Sequence, residues 1–191
     1  MFKTRLLPIL SVFCLLWTLL AGVQAKEVQK LPAQLPDLDG SYAGQLNYID
    51  YRSNKAVAIP MQLHLKTSSD KTMLIADRVY TDPGYQVFSL SVMRYEAKQA
   101  KWYDENFEQG NHVSTTYEVL SFDLKNDRDW KLVRSTQGQD NNRAARLTIT
   151  ESLQGRTFRS ETRVDYLDTD EDENLRRNWI ELTEKSAQTA P

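Results

Sequence analysis

The feature that most constrains the fold of this chain is the alternation of apolar and polar side chains along successive stretches. From Val57 to Leu65 an apolar residue stands at every second position, which is the period of a β-strand that buries one face. Comparable stretches follow at short intervals almost to the end of the chain. No long segment has the 3.6-residue period of an amphipathic helix. The sequence therefore predicts an all-β protein.

Turn sequences separate the predicted strands. Asp82-Pro83-Gly84 presets a bend, and Gln154-Gly155 is typical of a tight hairpin. Residues 98–109 fit either a wide hairpin arm or a helical turn, and the alternation does not decide between them. The predicted strands cover residues 42–50, 57–65, 72–80, 86–95, 114–124, 130–137, 144–153, 157–167 and 175–184.

A chain with this many antiparallel strands must protect the edges of its sheet. Closing the sheet into a barrel removes the edges, whereas stacking two sheets leaves them in place. The predicted strands are long and follow one another as hairpins, which favours an antiparallel up-and-down β-barrel. A two-sheet β-sandwich remains the alternative.

Residues 1–25 have the layout of a secretory signal peptide. A basic start is followed by an apolar stretch over residues 6–20, and small residues precede Lys26. Cleavage before Lys26 predicts a periplasmic or secreted protein without cysteine, because Cys14 is the only cysteine of the chain. An uncleaved anchor and lipidation of Cys14 are the less favoured alternatives.

The mature chain is predicted to be one domain. Residues 26–37 contain Pro32 and Pro36 and are interpreted as a linker, because proline interrupts a strand ladder. The barrel is expected over residues 38–185, and a disordered tail over 186–191. No later stretch has the roughly 20 apolar residues of a transmembrane helix, so no transmembrane segment is expected after cleavage. With 24 Lys and Arg against 26 Asp and Glu, the chain lacks the basic excess of a nucleic-acid-binding protein.

The sequence contains no motif of an enzyme or of a transition-metal site. Its two histidines, His64 and His112, each lack a second ligand at a metal-binding spacing. Neither a nucleophilic-serine motif nor a zinc-protease motif occurs. No catalytic residue, metal or cofactor is therefore predicted. An enzyme built from residues scattered over several strands stays open as an alternative.

An acidic run over residues 165–173 is the sharpest local feature. Asp168, Asp170 and Asp172 stand at alternate positions, as the oxygen ligands of calcium loops do. Glu173, however, stands where the sharp bend of such a loop needs glycine. We interpret the run as a solvated loop between the last two strands, and calcium binding is left open.

The start of the first strand resembles that of a known barrel superfamily. Gly40-Ser41-Tyr42 is similar to the Gly-x-Trp start of calycin, or lipocalin-like, β-barrels, with Tyr in place of Trp. The resemblance implies that the Tyr42 ring plugs one end of the barrel, that Arg176 or Arg177 packs across it, and that a small ligand binds inside. The chain departs from a true lipocalin because it lacks cysteines after the signal peptide and a helix after the last strands. A broader calycin-like barrel is compatible with both departures.

Alternation also places polar side chains beside apolar ones within the predicted barrel. By this rule Tyr48, Asp50, Arg78, Tyr80 and Arg177 point inward, and they are the candidate ligand-binding residues. Because a buried charge needs a partner, we expect Asp50 to pair with Arg78 or Arg177 beneath a tyrosine-lined cavity. In the competing interpretation these charges lie on the outer face or support the core. The neighbours that define the inward face are Tyr42, Leu46, Leu74, Ala76, Leu175 and Trp179.

The predicted function is non-catalytic binding of a small, partly apolar ligand inside an exported β-barrel of the bacterial envelope. The main alternative is an envelope interaction or assembly protein, whose barrel is solidly filled and holds no ligand. Ser89 and Ser91 leave room inside, whereas the row from Val57 to Leu65 favours filling. An outward patch that rests on a partner protein or a membrane surface is expected at Trp102, Tyr103 and Phe107.

Overall fold

The computed structural model describes residues 31–82, 84–169 and 174–186. These residues form a closed barrel of antiparallel strands, in which each strand pairs with the next and the first pairs with the last. The predicted up-and-down barrel is confirmed, and the sandwich alternative is wrong. The predicted signal peptide, residues 170–173 of the acidic run and residues 187–191 of the predicted tail lie outside the described residues.

Ten strands make up the barrel wall in the described part of the chain. Their lengths run from 8 to 16 residues. The strands are β1 (Gly40–Ile49), β2 (Ala56–Thr67), β3 (Met73–Asp82), β4 (Tyr85–Glu96), β5 (Lys101–Glu108), β6 (Asn111–Asn126), β7 (Asp129–Asp140), β8 (Arg143–Gln154), β9 (Thr157–Tyr166) and β10 (Leu175–Glu184).

The stretch that alternation left ambiguous contains both of the structures considered for it. Ala97–Gln99 forms a 3-10 turn, and β5 follows it. Trp102 of β5 lies opposite Tyr95 and is only 1% exposed, whereas Tyr103 and Phe107 lie on the outer face. The expected outward patch is therefore wrong for Trp102, because neighbouring side chains of a strand point to opposite faces. No helix among the described residues is long and apolar enough to cross a membrane.

Large side chains fill one end of the barrel interior, which we call the closed end. It lies at the turns that join β2 to β3, β4 to β5, β6 to β7 and β8 to β9, and the opposite end is called the mouth. At the closed end, aromatic rings pack one against the next, with centroid distances from 5.6 to 6.4 Å. The rings in contact belong to Tyr42, Tyr95, Trp102, Phe122, Trp130 and Phe158.

The chain before β1 lies across the closed end. Leu35 and Leu38 belong to the apolar core and are 2% and 4% exposed. The Leu35 amide donates to the carbonyl of Lys71 at 2.8 Å, and the Leu38 amide donates to the hydroxyl of Thr67 at 2.9 Å. The described part of the predicted linker, from residue 31 onward, is thus packed against the barrel and covers its closed end, which we also call the floor.

Tyr42 lies where the calycin resemblance implies, at one end of the barrel, but no arginine of β10 packs across its ring. The Tyr42 ring is fully buried at the closed end, 5.9 Å from the ring of Phe158. Arg176 instead stacks on the outward Trp179 ring, and Arg177 lies at the mouth. The expectation that one of them packs across Tyr42 is therefore wrong. Burial raises the pKa of the Tyr42 hydroxyl, and the nearby Arg128, on the turn between β6 and β7, opposes this rise.

Gly44 allows β1 and β10 to approach each other closely where they close the barrel. A Cβ atom at this position would lie 2.2 Å from the carbonyl oxygen of Glu181 and 3.1 Å from the Cα of Leu182. Both contacts are with backbone, which cannot move aside as a flexible side chain does. The closing seam of the barrel therefore requires glycine here.

Candidate functional site

A cavity of about 150 Å³ lies inside the barrel, above the closed end. Leu46 of β1, Met61 of β2 and Ile180 of β10 give it an apolar surface, and Arg78 and Tyr80 of the neighbouring strand β3 add polar groups to it. Each of these strands contributes alternate residues to the interior, because side chains of a strand point in and out by turns. The cavity therefore combines an apolar surface with charged and hydroxyl groups.

A hydrogen-bonded polar cluster lies behind Arg78. The Arg78 guanidinium donates through Nη1 to the hydroxyl of Ser91 at 2.9 Å. The side-chain amide of Asn106 donates to Ser89 and Ser91, at 3.1 Å in both cases. Because serine side chains are small, they leave open the space into which Arg78 projects.

A buried ion pair joins the adjacent strands β7 and β8 inside the barrel. Arg134 donates to both carboxylate oxygens of Glu151, at 2.5 and 3.2 Å, and its side chain is only 4% exposed. The guanidinium also lies over the rings of Trp102 and Tyr117, at 4.9 and 5.2 Å from their centroids. Burial lowers the pKa of Arg134, but the charge and hydrogen bonds of Glu151 outweigh this effect, so that the pKa is raised above its ordinary value. Arg134 therefore stays charged, although its Nε atom is buried without a hydrogen-bond partner among the described residues.

Asp104 of β5 is a buried carboxyl group without such a partner. Its Oδ1 atom accepts no hydrogen bond from the described residues. Burial raises the pKa of Asp104 above its ordinary value of 3.8, while the charges of Arg78 and Arg134 act in the opposite direction. The interior thus holds one carboxyl group that ionises less readily than usual.

A second polar cluster closes one side of the mouth. Asp140, at the end of β7, accepts hydrogen bonds from Tyr51, from Tyr166 at 2.6 Å and from Arg177 at 3.0 Å. Arg177 also lies over the Tyr51 ring, 4.4 Å from its centroid. Burial and the hydrogen bond to Asp140 raise the pKa of Tyr51 to about 12. The β1–β2 turn is thereby tied across the mouth to β7, β9 and β10.

The five predicted ligand-binding residues do not all meet at one place. Arg78 and Tyr80 line the cavity, and Tyr48 lies nearer the mouth, between Val57 and Asn178 on its neighbouring strands. Arg177 lies in the mouth cluster. Asp50 accepts hydrogen bonds from the amides of Arg52 and Ser53 on the β1–β2 turn.

The predicted ion pair of Asp50 with Arg78 or Arg177 is not formed. β1 ends at Ile49, so the alternation that placed Asp50 inside does not continue to it. Arg177 pairs with Asp140 instead. Arg177 also does not share a face with Trp179, because the pairing of β10 with β9 shifts register between Arg176 and Asn178. Such a bulge inserts one extra residue into the strand, so that residues two positions apart no longer lie on the same face.

Sequence reasoning missed four charged residues of the interior, although a signal for three of them is present. Arg134, Glu151 and Asp104 each stand two positions from a large apolar residue of the same strand. The rule that placed Arg78 inside applies equally to them. Asp140 gives no such signal, because its partners come from three other segments.

The histidines lie outside this interior. Exposed His64 shares a hydrogen bond of 2.8 Å with Ser41, and His112 contacts Glu105 at 2.7 Å and stacks on Phe107. Among the described residues, no group of three or more His, Cys, Asp or Glu side chains is arranged to hold a metal ion. Asp168 of the acidic run pairs with Arg143.

The fold and its interior define the class of this molecule as a closed antiparallel β-barrel with an internal cavity of mixed polarity. No protein-family model matches the chain, and no curated protein matches it either. The cavity and its polar groups are therefore the basis for any functional conclusion.

Proposed function

We propose that this chain is an exported, calycin-like barrel of the bacterial envelope that binds a small, partly apolar ligand without catalysis. The observation that carries the proposal is the internal cavity of about 150 Å³, which is lined by the apolar Leu46 and Ile180 and by the polar Arg78 and Tyr80. Apolar walls with a few convergent polar groups are characteristic of small-molecule sites. The signal-peptide layout of residues 1–25 supports the compartment.

An envelope interaction protein is the second candidate, and a feature of the outer surface favours it. Ile75, Phe88, Leu90 and Phe107 are each at least 40% exposed. They come from the neighbouring strands β3, β4 and β5, where Leu90 and Phe107 are cross-strand partners. Exposed apolar side chains grouped in this way are typical of a surface that meets another molecule.

Native mass spectrometry of the chain purified from an exporting host distinguishes the two candidates. We expect a small molecule to be retained by the folded protein and lost after organic extraction. Arg78→Met is expected to reduce this retention. Arg94→Met, an outward residue of β4 whose side chain is 55% exposed, is the matched control.

The opposite result would favour the interaction protein. It would consist of a clean apo mass that does not shift when lipids, haem and host metabolites are added. In that case the outer face of β3 to β5 would become the leading candidate for the functional surface.

A further inference from the structure

The interior arginines differ in what balances their charge. Inside the barrel Arg134 has a carboxylate partner in Glu151, and at the mouth Arg177 has one in Asp140. Arg78 donates to the hydroxyl of Ser91, and the described residues place no carboxylate in ion-pair contact with it. Arg78 is also the arginine that lines the cavity. A half-buried guanidinium without an anion is costly, so this position favours a negatively charged group.

Other hydrogen-bond donors border the same space. Trp102 and Trp130 both line the cavity, and the indole N–H of each is buried without a hydrogen-bond partner among the described residues. Tyr80 adds a hydroxyl to the wall that carries Arg78. Glu151, Ser160 and Asn178 also line the cavity and carry acceptor oxygens. The unpaired indole N–H groups and Arg78 nevertheless suit a ligand that brings acceptor oxygens of its own.

The carboxyl groups of the interior compete weakly with such a ligand. Glu151 is engaged by Arg134 through both of its oxygens. Asp104 is the other carboxyl that Arg78 faces; burial raises its pKa, and the charge of Arg78 opposes this rise. Within the described residues neither carboxyl is in ion-pair contact with Arg78, which leaves its guanidinium room for an anion.

The size of the cavity limits the ligand. An apolar cavity of about 150 Å³ is known to hold a molecule such as benzene, and the cavity volume here is about 150 Å³. A compact ring or a short branched chain fits this volume, whereas a long acyl chain would have to extend out of it. The apolar body of the ligand would lie against Leu46, Met61 and Ile180.

We propose that the cavity binds a small carboxylate with a compact apolar body, such as an aromatic or short branched-chain acid, with its acid group on Arg78. This inference rests on the proposed ligand-binding function and names the chemical class of the ligand. Arg78 supplies the charge, Ser91 orients the guanidinium, and the indole N–H groups of Trp102 and Trp130 supply further donors.

Titration of the purified protein with three probes tests the proposal. The probes are benzoate, the neutral benzyl alcohol of similar size, and the long-chain acid palmitate, with calorimetry and tryptophan fluorescence as readouts. We expect benzoate to bind at least about tenfold more tightly than benzyl alcohol, because a charged hydrogen bond contributes that much. Palmitate is expected to bind more weakly than benzoate.

Variants of Arg78 locate the effect. Arg78→Met is expected to lose the preference for benzoate over benzyl alcohol, and Arg78→Lys is expected to keep most of it because the positive charge remains. Arg94→Met should bind as the unaltered protein does. Circular dichroism checks that each variant is folded, and the comparison of the three probes on the unaltered protein stands even if Arg78→Met fails to fold.

Each contrary outcome has its own meaning. Equal binding of benzoate and benzyl alcohol would overturn the anionic class, and tighter binding of palmitate would overturn the compact class, while the ligand-binding function would stand in both cases. If none of the probes binds but the purified protein retains another small molecule, the class is again wrong and the function stands. If no probe binds and nothing is retained, the proposed function itself fails.

Discussion

At the scale of single residues, the interior of this barrel is distinguished by how its charges are compensated. Arg134 is buried but bound by Glu151 through both carboxylate oxygens, so its charge has a partner of matching geometry. Asp104 has a buried carboxylate oxygen without a hydrogen-bond partner among the described residues, and Arg78, which lines the cavity, has no carboxylate in ion-pair contact there. Residues that lack a full set of partners within the chain are the ones with capacity left for a ligand.

Asp104 leads to a prediction about stability and pH. Because burial raises its pKa above 3.8, the folded chain holds this proton more tightly than the unfolded chain does. Stability attributable to Asp104 is therefore present below the unfolded-state pKa and is lost as pH rises through the folded-state pKa. Asp104→Asn removes the ionisation, so the variant should gain stability relative to the unaltered protein as pH rises from 3 to 7.

Urea unfolding at several pH values measures this gain for Asp104→Asn, with Asp77→Asn on the outer face of the same barrel as the control for the chemical change. A stability difference that stays constant with pH, or that is greatest in acid, would contradict the prediction.

At the scale of strands and turns, the seam between β1 and β10 depends on close backbone contact. Gly44→Ala would place a methyl group 2.2 Å from the carbonyl oxygen of Glu181, so we expect a loss of about 2–3 kcal/mol in the free energy of unfolding. Gly138→Ala in β7 meets only the side chain of Leu147, at 3.8 Å. That control should be neutral or slightly stabilising. Similar unfolding midpoints for both variants would refute a special role of the seam.

One side chain ties the turn between β1 and β2 across the mouth. Tyr51 donates a hydrogen bond to Asp140, so Tyr51→Phe should lower the free energy of unfolding by about 1 kcal/mol. It should also speed amide hydrogen exchange in residues 50–55. Tyr85→Phe is the control, since Tyr85 bonds to Asp82 of its own hairpin at 2.8 Å. Unchanged exchange in the β1–β2 turn of Tyr51→Phe would show that the bond does not hold the turn.

Alternation predicted the strands well and the ends and irregularities of strands poorly. It placed Arg78 and Tyr80 inside because β3 is regular across both of them. It failed for Asp50, which lies just beyond the end of β1, and for the faces of β10, where a register shift separates Arg176 from Asn178. A period of two carries information only while the ladder is unbroken, and the sequence offers no separate sign of a bulge.

At the scale of the whole molecule, consecutive hairpins made the barrel predictable, but the cover on its floor was not. Each strand pairs with its neighbour in sequence except for the single closing contact of β1 with β10. Residues 31–38 follow no strand or helix period and contain two prolines, so their packing against the closed end has no signature in the sequence. It follows from tertiary contacts alone, through Leu35, Leu38 and the carbonyl of Lys71.

The integrity of this floor gives the last prediction. If residues 31–38 are part of the folded barrel, Leu35→Ala should cost about 2–4 kcal/mol, as for a leucine of any apolar core, because Leu35 is 2% exposed. Gln34→Ala, which removes an exposed side chain, should change stability little. Urea unfolding followed by tryptophan fluorescence reports on the closed end, because Trp102 and Trp130 lie there.

We expect a single transition for Leu35→Ala with a lower midpoint and an unchanged slope, since the surface exposed on unfolding stays nearly the same. A cost no larger than that of Gln34→Ala would mean that the segment rests on the barrel without stabilising it. A second, earlier transition would mean that it detaches before the barrel unfolds. After such a detachment the cavity would be open at both ends, and its volume would no longer limit the size of a ligand.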